Sequence, residues 1–284
     1  MSFYVTAQAL LSDVRLRLDA LGEKSSVLMV EGNDDKRLFY ARINAGSDVI
    51  PAPGKKLLRS ALELILDADK GRILFFTDCD YDVATGDLRG GPNVVITASC
   101  DVESDLIGLG ILEKVAIEVV PQAIASNDSA ARIGADVRKY AEKVALPLGR
   151  IRMAVQPFGV DLDLDEIDFS KYWDKKDKTV LADKLSDVIW QHLSKEVRID
   201  HAQWDERLLS IPENPILCQG KDLIKAAQMF FRYLYKMDSK ITPGMLVIMM
   251  RLAVDQEIFE SWSVVKRIRA WEERCGRRLL SHAG

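Results

Sequence analysis

Three short apolar runs constrain this chain more than anything else in it: Val27-Leu28-Met29-Val30, Arg72-Ile73-Leu74-Phe75-Phe76-Thr77 and Val94-Val95-Ile96-Thr97. Each is rich in β-branched or aromatic residues and is closed by a turn or an acid. Such runs read as strands buried on both faces, the pattern of a parallel sheet. Stretches with helical spacing lie between them, as crossover connections require. The expected fold class is α/β, a mainly parallel sheet with helices on both faces, followed by a mostly helical C-terminal region.

The run ends carry the chemistry. The first stops at Glu31-Gly32, the second at Asp78-Cys79-Asp80-Tyr81-Asp82, and the third is followed by Asp101-Val102-Glu103-Ser104-Asp105. Ligands of open α/β sheets sit beyond the carboxyl ends of the strands, so these acids are expected in the site crevice. Asn33-Asp34-Asp35 opens a helix through about Ile43, because Asn and Asp favour caps and first turns. Asp35 therefore reads either as compensation of the helix dipole or as a second acid at the mouth. Asp48 to Ile50 reads as a strand. Pro51 to Lys56 is a turn into a helix whose apolar face is Leu57, Leu58, Ala61, Leu62 and Ile65. Lys55 is badly placed for the dipole of that helix. It reads as a surface lysine or as one that faces phosphate.

Other stretches complete the outline. Ala7, Leu10, Leu11, Val14, Leu18 and Leu21 form a helical stripe that Gly22 stops. Val115 to Val120 and Arg150 to Val155 read as further strands. Helices are expected around Ile133 to Val144, Val180 to Leu193, Leu223 to Leu234 and Pro243 to Val254. Lys221, Lys225, Gln228, Arg232 and Lys236 make a polar stripe, either a solvated face or a track for substrate phosphates. Pro243 to Val254 is a core helix or a subunit contact. The last helix interleaves Trp262 and Trp271 with Lys266, Arg267, Arg269, Arg274, Arg277 and Arg278. Such a helix can bind RNA or an acidic partner, although Glu272 and Glu273 count against that.

Composition excludes several classes. The 284 residues carry a formal net charge of −4, which argues against a passive nucleic-acid coat. Cys79, Cys100, Cys218 and Cys275 form no CxxC pair, so a disulfide framework or zinc site is not expected, and a reducing cytoplasm fits. Asp13, Arg15, Arg17 and Asp19 interrupt any apolar leader, and no run approaches the roughly 18 residues of a membrane span. The histidines, His192, His201 and His282, lie far downstream of the acids, which gives little support to a Ser-His-Asp system. Neither Asp78 to Arg89 nor the acidic run Asp161, Asp163 and Asp165 fits a calcium loop, which needs Gly at its sixth position and Glu at its twelfth. Clustered carboxylates without histidine suit Mg²⁺ or Mn²⁺.

Val-Glu-Gly-x-x-Asp after a strand, a Gly-Lys turn, then Asp-x-Asp after a later strand resembles the Toprim domain, the metal-binding catalytic domain of topoisomerases, primases and related nucleases. The likeness covers residues 24–125. With the Asp78-x-Asp80-Tyr81-Asp82 form, Thr97-x-x-x-Asp101-x-Glu103 and Gly220-Lys221-Asp222-Leu223, the chain most resembles the Toprim nucleases of PARIS-type anti-phage defence. The resemblance implies a Rossmann-like Toprim catalytic domain over 1–160 and a mostly helical domain over 161–284. It implies Glu31 as metal ligand or general base and Asp78 and Asp80 as the Mg²⁺-holding pair. Asp35 matches the acid one turn on, Glu103 a possible second-metal ligand, and Lys55 a stabiliser of the scissile phosphate. Lys221 and Lys225 are the substrate-binding candidates.

The implied activity is Mg²⁺-dependent phosphodiester hydrolysis of RNA, transfer RNA in particular, rather than DNA. The enzyme would be a cytoplasmic toxic effector, held silent by a partner ATPase, released in response to a phage protein and dimeric when active. Two alternatives stay open. One is a haloacid-dehalogenase-type phosphatase with Asp78 as nucleophile. The other is a non-catalytic Toprim module that senses or docks on a partner.

Overall fold

The computed structural model describes residues 6–82, 86, 90–120, 127–159, 169–174, 176–177, 179–235 and 241–281. Its centre is a four-stranded, all-parallel sheet: β1 (Ser26–Val30), β2 (Ser47–Pro51), β3 (Ile73–Thr77) and β4 (Val94–Ile96) in the order β2-β1-β3-β4. Every residue of β1 and β3 is buried, as the unbroken apolar runs require. The chain leaves β1 toward β2 on one side and β3 toward β4 on the other. The topological switch point therefore falls between the carboxyl ends of β1 and β3, where open α/β sheets bind ligands.

Alternation along the strands sends side chains to two faces. Val27, Met29, Ile73 and Phe75 pack against α1 (Ala7–Leu21) and α3 (Lys55–Glu63), whose Leu10, Leu11, Val14, Leu18, Leu58 and Ala61 are buried. Gly22 ends α1 at φ 96°, a left-handed conformation that glycine adopts without a Cβ penalty. On the other face Phe76 meets Phe39 of α2 (Asn33–Tyr40) edge-on at 5.3 Å, and Trp262 stacks on Phe39 at 5.9 Å. Phe259 of α11 (Gln256–Ser261) joins this cluster.

The chain divides into two compact units. One is Met1–Cys79, Leu88–Ala98 and Val254–Gly284; the other is Asp80–Asp87 and Ser99–Ala253. The expected boundary near residue 160 is not where the division falls. The C-terminal segment belongs with the sheet because its aromatic side chains complete the core on the Phe39 face. Its helix α12 (Ser263–Cys275) buries Val264, Val265, Ile268 and Trp271.

The second unit is mostly helical. It contains α4 (Val102–Gly108), α5 (Ile111–Val119), α6 (Asn127–Val155), α7 (Ala182–Glu196), α8 (His201–Ser210), α9 (Gly220–Leu234) and α10 (Pro243–Leu252). A two-stranded antiparallel ladder pairs β5 (Trp173–Asp174) with β6 (Thr179–Val180). Two expectations are corrected here. Val115 to Val120 is not a strand but the end of α5, whose Ile111, Leu112, Val115 and Ala116 are buried at helical spacing. Arg150 to Val155 does not extend the sheet; it is the last part of α6. Inside it Arg152 pairs with Asp222 of α9 at 2.9 Å, with both side chains almost wholly buried. The acidic run Asp161, Asp163 and Asp165 lies outside the described residues, as do Lys236 and His282. On α10, Leu246 and Met250 are buried while Met245, Ile248 and Leu252 are exposed, so one face of this helix belongs to the core. No described helix is long and apolar enough to cross a membrane.

Candidate functional site

The carboxyl ends of β1 and β3 carry Glu31 and Asp78, at the switch point. Glu31 Oε1 accepts a hydrogen bond from the backbone amide of Asp78 at 2.9 Å and another from the Thr77 hydroxyl. Two donors on one carboxylate oxygen hold the side chain against the neighbouring strand. Lys55, the first residue of α3, donates from Nζ to the carbonyl of Asp78 at 2.7 Å. The turn that presents Asp78 is thus tied to β1 through Glu31 and to α3 through Lys55. Thr97 joins the same end of the sheet. Its amide donates to the Thr77 carbonyl at 3.2 Å, and its Oγ1 accepts from the Cys79 amide at 2.8 Å.

Asp35 sits one turn beyond Glu31, and its Oδ2 accepts from the Gly32 amide at 3.0 Å, the reciprocal half of a cap on α2. The Lys55 ammonium serves the Asp78 backbone rather than standing clear as a surface lysine.

The remaining predicted residues lie in the second unit. Asp80 follows Asp78 by two residues and has φ 46°; among the described residues no other non-glycine has a positive φ. Asp tolerates this region better than most residues, and such outliers concentrate at functional sites. Its amide donates to the Cys100 carbonyl at 2.6 Å. Tyr81, beside it, is buried, and its hydroxyl donates to the Leu217 carbonyl at 3.1 Å. Burial pushes its phenol well above the usual tyrosine range. Asp82 is half-buried and receives no role.

Asp101 caps α4. Its carboxylate accepts from the Ser104 amide at 2.8 Å and from the Gly220 amide at 3.0 and 2.8 Å. Desolvation pushes its pKa up to about 7, the neighbouring Glu103 charge adds to that, and the amide donors oppose it. Glu103 pairs with Arg251 at 3.1 Å. This arginine, unremarked in the sequence, gives Glu103 a structural partner where a second-metal ligand was expected. Asp105 is buried and accepts from the Ser99 amide at 2.6 Å. Lys221 is exposed and Lys225 half-buried, and both charges act on Asp222, beside its Arg152 partner. Gln228 donates to the Ile241 carbonyl at 2.7 Å, so the polar stripe of α9 is partly spent on intramolecular bonds.

Several basic residues of α12 and of the segment after it make intramolecular bonds. Arg269 pairs with Glu260 at 2.7 Å and with Glu272 at 3.0 Å. Arg267 donates to the Ile96 carbonyl and Arg274 to the Pro92 carbonyl. Trp271 donates to Asn93 Oδ1 at 3.1 Å, and both it and Trp262 are buried. The two tryptophans are therefore core residues, while Lys266, Arg267, Arg274 and Arg278 stay exposed.

The structure brings Glu31, Asp78 and Lys55 together and assigns Asp80, Glu103, Lys221 and Lys225 to the other unit. It adds Thr77, whose signal was a lone hydroxyl closing an otherwise apolar strand, and Asp101, whose signal was its position ahead of a helix. Among the described residues no group of three or more His, Cys, Asp or Glu side chains is arranged to hold a metal ion. A pair of carboxylates nevertheless suits Mg²⁺, which is commonly held by one or two carboxylates plus water and substrate phosphate. Glu31 and Asp78 supply hard oxygen donors of that kind. No protein-family model matches the chain, and no curated protein matches it.

Proposed function

We propose that the chain is a metal-dependent, Toprim-type nuclease that hydrolyses phosphodiester bonds, with its active centre at the switch point between β1 and β3. The observation that carries this reading is the anchoring of the Glu31 carboxylate by the Thr77 hydroxyl and the Asp78 amide on the adjacent strand. A glutamate held in place at that crevice is suited to accept a proton from an attacking water. Asp78 would hold Mg²⁺ or Mn²⁺ together with Glu31. When bound, the ion supplies an acidified water and charge stabilisation for the phosphate oxygens. Lys55 keeps the Asp78 turn in place through its carbonyl.

RNA as substrate, transfer RNA in particular, follows from the resemblance noted in the sequence, as do control by a partner ATPase and a dimeric active form. The phosphatase alternative makes Asp78 the nucleophile but gives no task to Glu31, whose position is the best-defined feature of the crevice. A non-catalytic module would need no metal.

Purified protein is incubated with total RNA and with plasmid DNA, with Mg²⁺ or with chelator. RNA fragments are expected only with metal. Glu31→Gln, which keeps an oxygen acceptor for Thr77, is expected to lower cleavage at least about 100-fold with folding intact. Full activity in that variant would reject the assignment, and a trapped phospho-aspartyl enzyme would favour the phosphatase. No cleavage together with no thermal shift in Mg²⁺ or Mn²⁺ would favour the docking module.

A further inference from the structure

We infer that Thr77 is a positioning residue for Glu31, an inference that rests on the nuclease reading above. Its backbone is locked in the sheet: the carbonyl accepts from the Thr97 amide at 3.2 Å. Its side chain is buried, with 8 % of the residue exposed. A β-branched side chain on a strand has few rotamers to choose from, so the hydroxyl stands at a fixed point beside β1. From there it donates to Glu31 Oε1, the oxygen that also accepts from the Asp78 amide at 2.9 Å. Two donors of different origin, one a side chain and one the backbone of the Asp-x-Asp turn, fix the plane of the carboxylate. That plane decides where Oε2 lies. The Asp78 amide is present whatever the side chains are, so Thr77 is the part of the clamp that a substitution can remove.

Thr77→Val is nearly isosteric, keeps the β-branch and deletes only the donor. Thr77→Ser keeps the donor. Residues that orient a ligating or catalytic carboxylate typically cost about 10- to 100-fold in activity or metal affinity when lost. Thr77→Val is therefore expected to lower kcat for RNA hydrolysis by about 10-fold or more with KM unchanged, and to weaken Mn²⁺ binding measured calorimetrically without substrate. Thr77→Ser should stay within about threefold of wild type in both. If the valine variant does not fold, Thr77→Cys replaces the hydroxyl with a weak donor and is read the same way. Wild-type kcat and Mn²⁺ affinity in Thr77→Val would overturn the positioning role alone. So would a Thr77→Ser variant as impaired as Thr77→Val, since the hydroxyl would then not be what matters. A wild-type protein that hydrolyses neither RNA nor DNA with either metal overturns the nuclease reading, and this inference falls with it.

Discussion

The amide of Gly220 donates to both carboxylate oxygens of Asp101, at 3.0 and 2.8 Å, across 119 positions of sequence. Asp101 also caps its own helix through the Ser104 amide, so one side chain serves the starts of α4 and α9. The two helix starts are pressed together at this point. A Cβ on Gly220 would lie 2.3 Å from Glu103 Cβ, 2.6 Å from Asp101 Oδ1 and 3.0 Å from the Ser104 amide. Two segments singled out in the sequence, Thr97 to Glu103 and Gly220 to Leu223, therefore meet.

Gly220→Ala is expected to destabilise the protein by about 1–3 kcal/mol, the usual cost of forcing extra volume into a filled space. The measurement is chemical denaturation of the variant beside wild type. A midpoint unchanged in Gly220→Ala would mean that the two helix starts do not approach this closely.

Asp101 should make stability depend on pH. Its pKa in the folded protein is raised to about 7, chiefly by desolvation. The folded state therefore holds this proton at pH values where the unfolded chain has lost it. The contribution is fully present below the unfolded carboxylate pKa of about 4 and is lost as pH rises through about 7. Thermal melts across this range should show the decline. In Asp101→Asn, an uncharged side chain of nearly the same shape, this group's part of the slope should vanish. A slope unchanged in Asp101→Asn would assign the pH dependence to other groups.

Tyr81 stands between Asp80 and Asp82 in the acidic run that follows β3. Here its hydroxyl is buried and committed to the Leu217 carbonyl. Tyr81→Phe is expected to leave metal-dependent hydrolysis unchanged and to cost about 0.5–1.5 kcal/mol of stability, the net worth of one hydrogen bond. Hydrolysis assays and denaturation curves on the same preparation check both halves. Loss of cleavage with the fold intact would put the phenol in the chemistry.

The sheet was legible from local pattern. Val27 to Val30 and Ile73 to Phe76 are apolar throughout because both faces are covered, and Glu31 and, after Thr77, Asp78 follow at the strand ends. Where the same kind of run was misread, at Val115 to Val120 and Arg150 to Val155, the reason is also local. A short apolar stretch fits a buried strand and a helix with one buried face equally well, and only the partners packed against it distinguish them. For the tryptophans of the last helix the outcome depended on remote residues. Phe39, Phe76 and Asn93 provide the surface that buries Trp262 and Trp271, and nothing near residue 262 announces them.

Covalent order alone dictates that an acid follows each of the first and third strands, because strand periodicity and turn chemistry act over a few residues. Which acid does what was decided by folding. Asp35 went to a cap, Glu103 to Arg251, and Glu31 to Thr77 and the Asp78 amide. Each of those outcomes depends on where a donor sits in three dimensions. Hydrogen bonds reach about 3 Å, a distance that spacing along the chain does not encode between residues 31 and 78 or between 103 and 251.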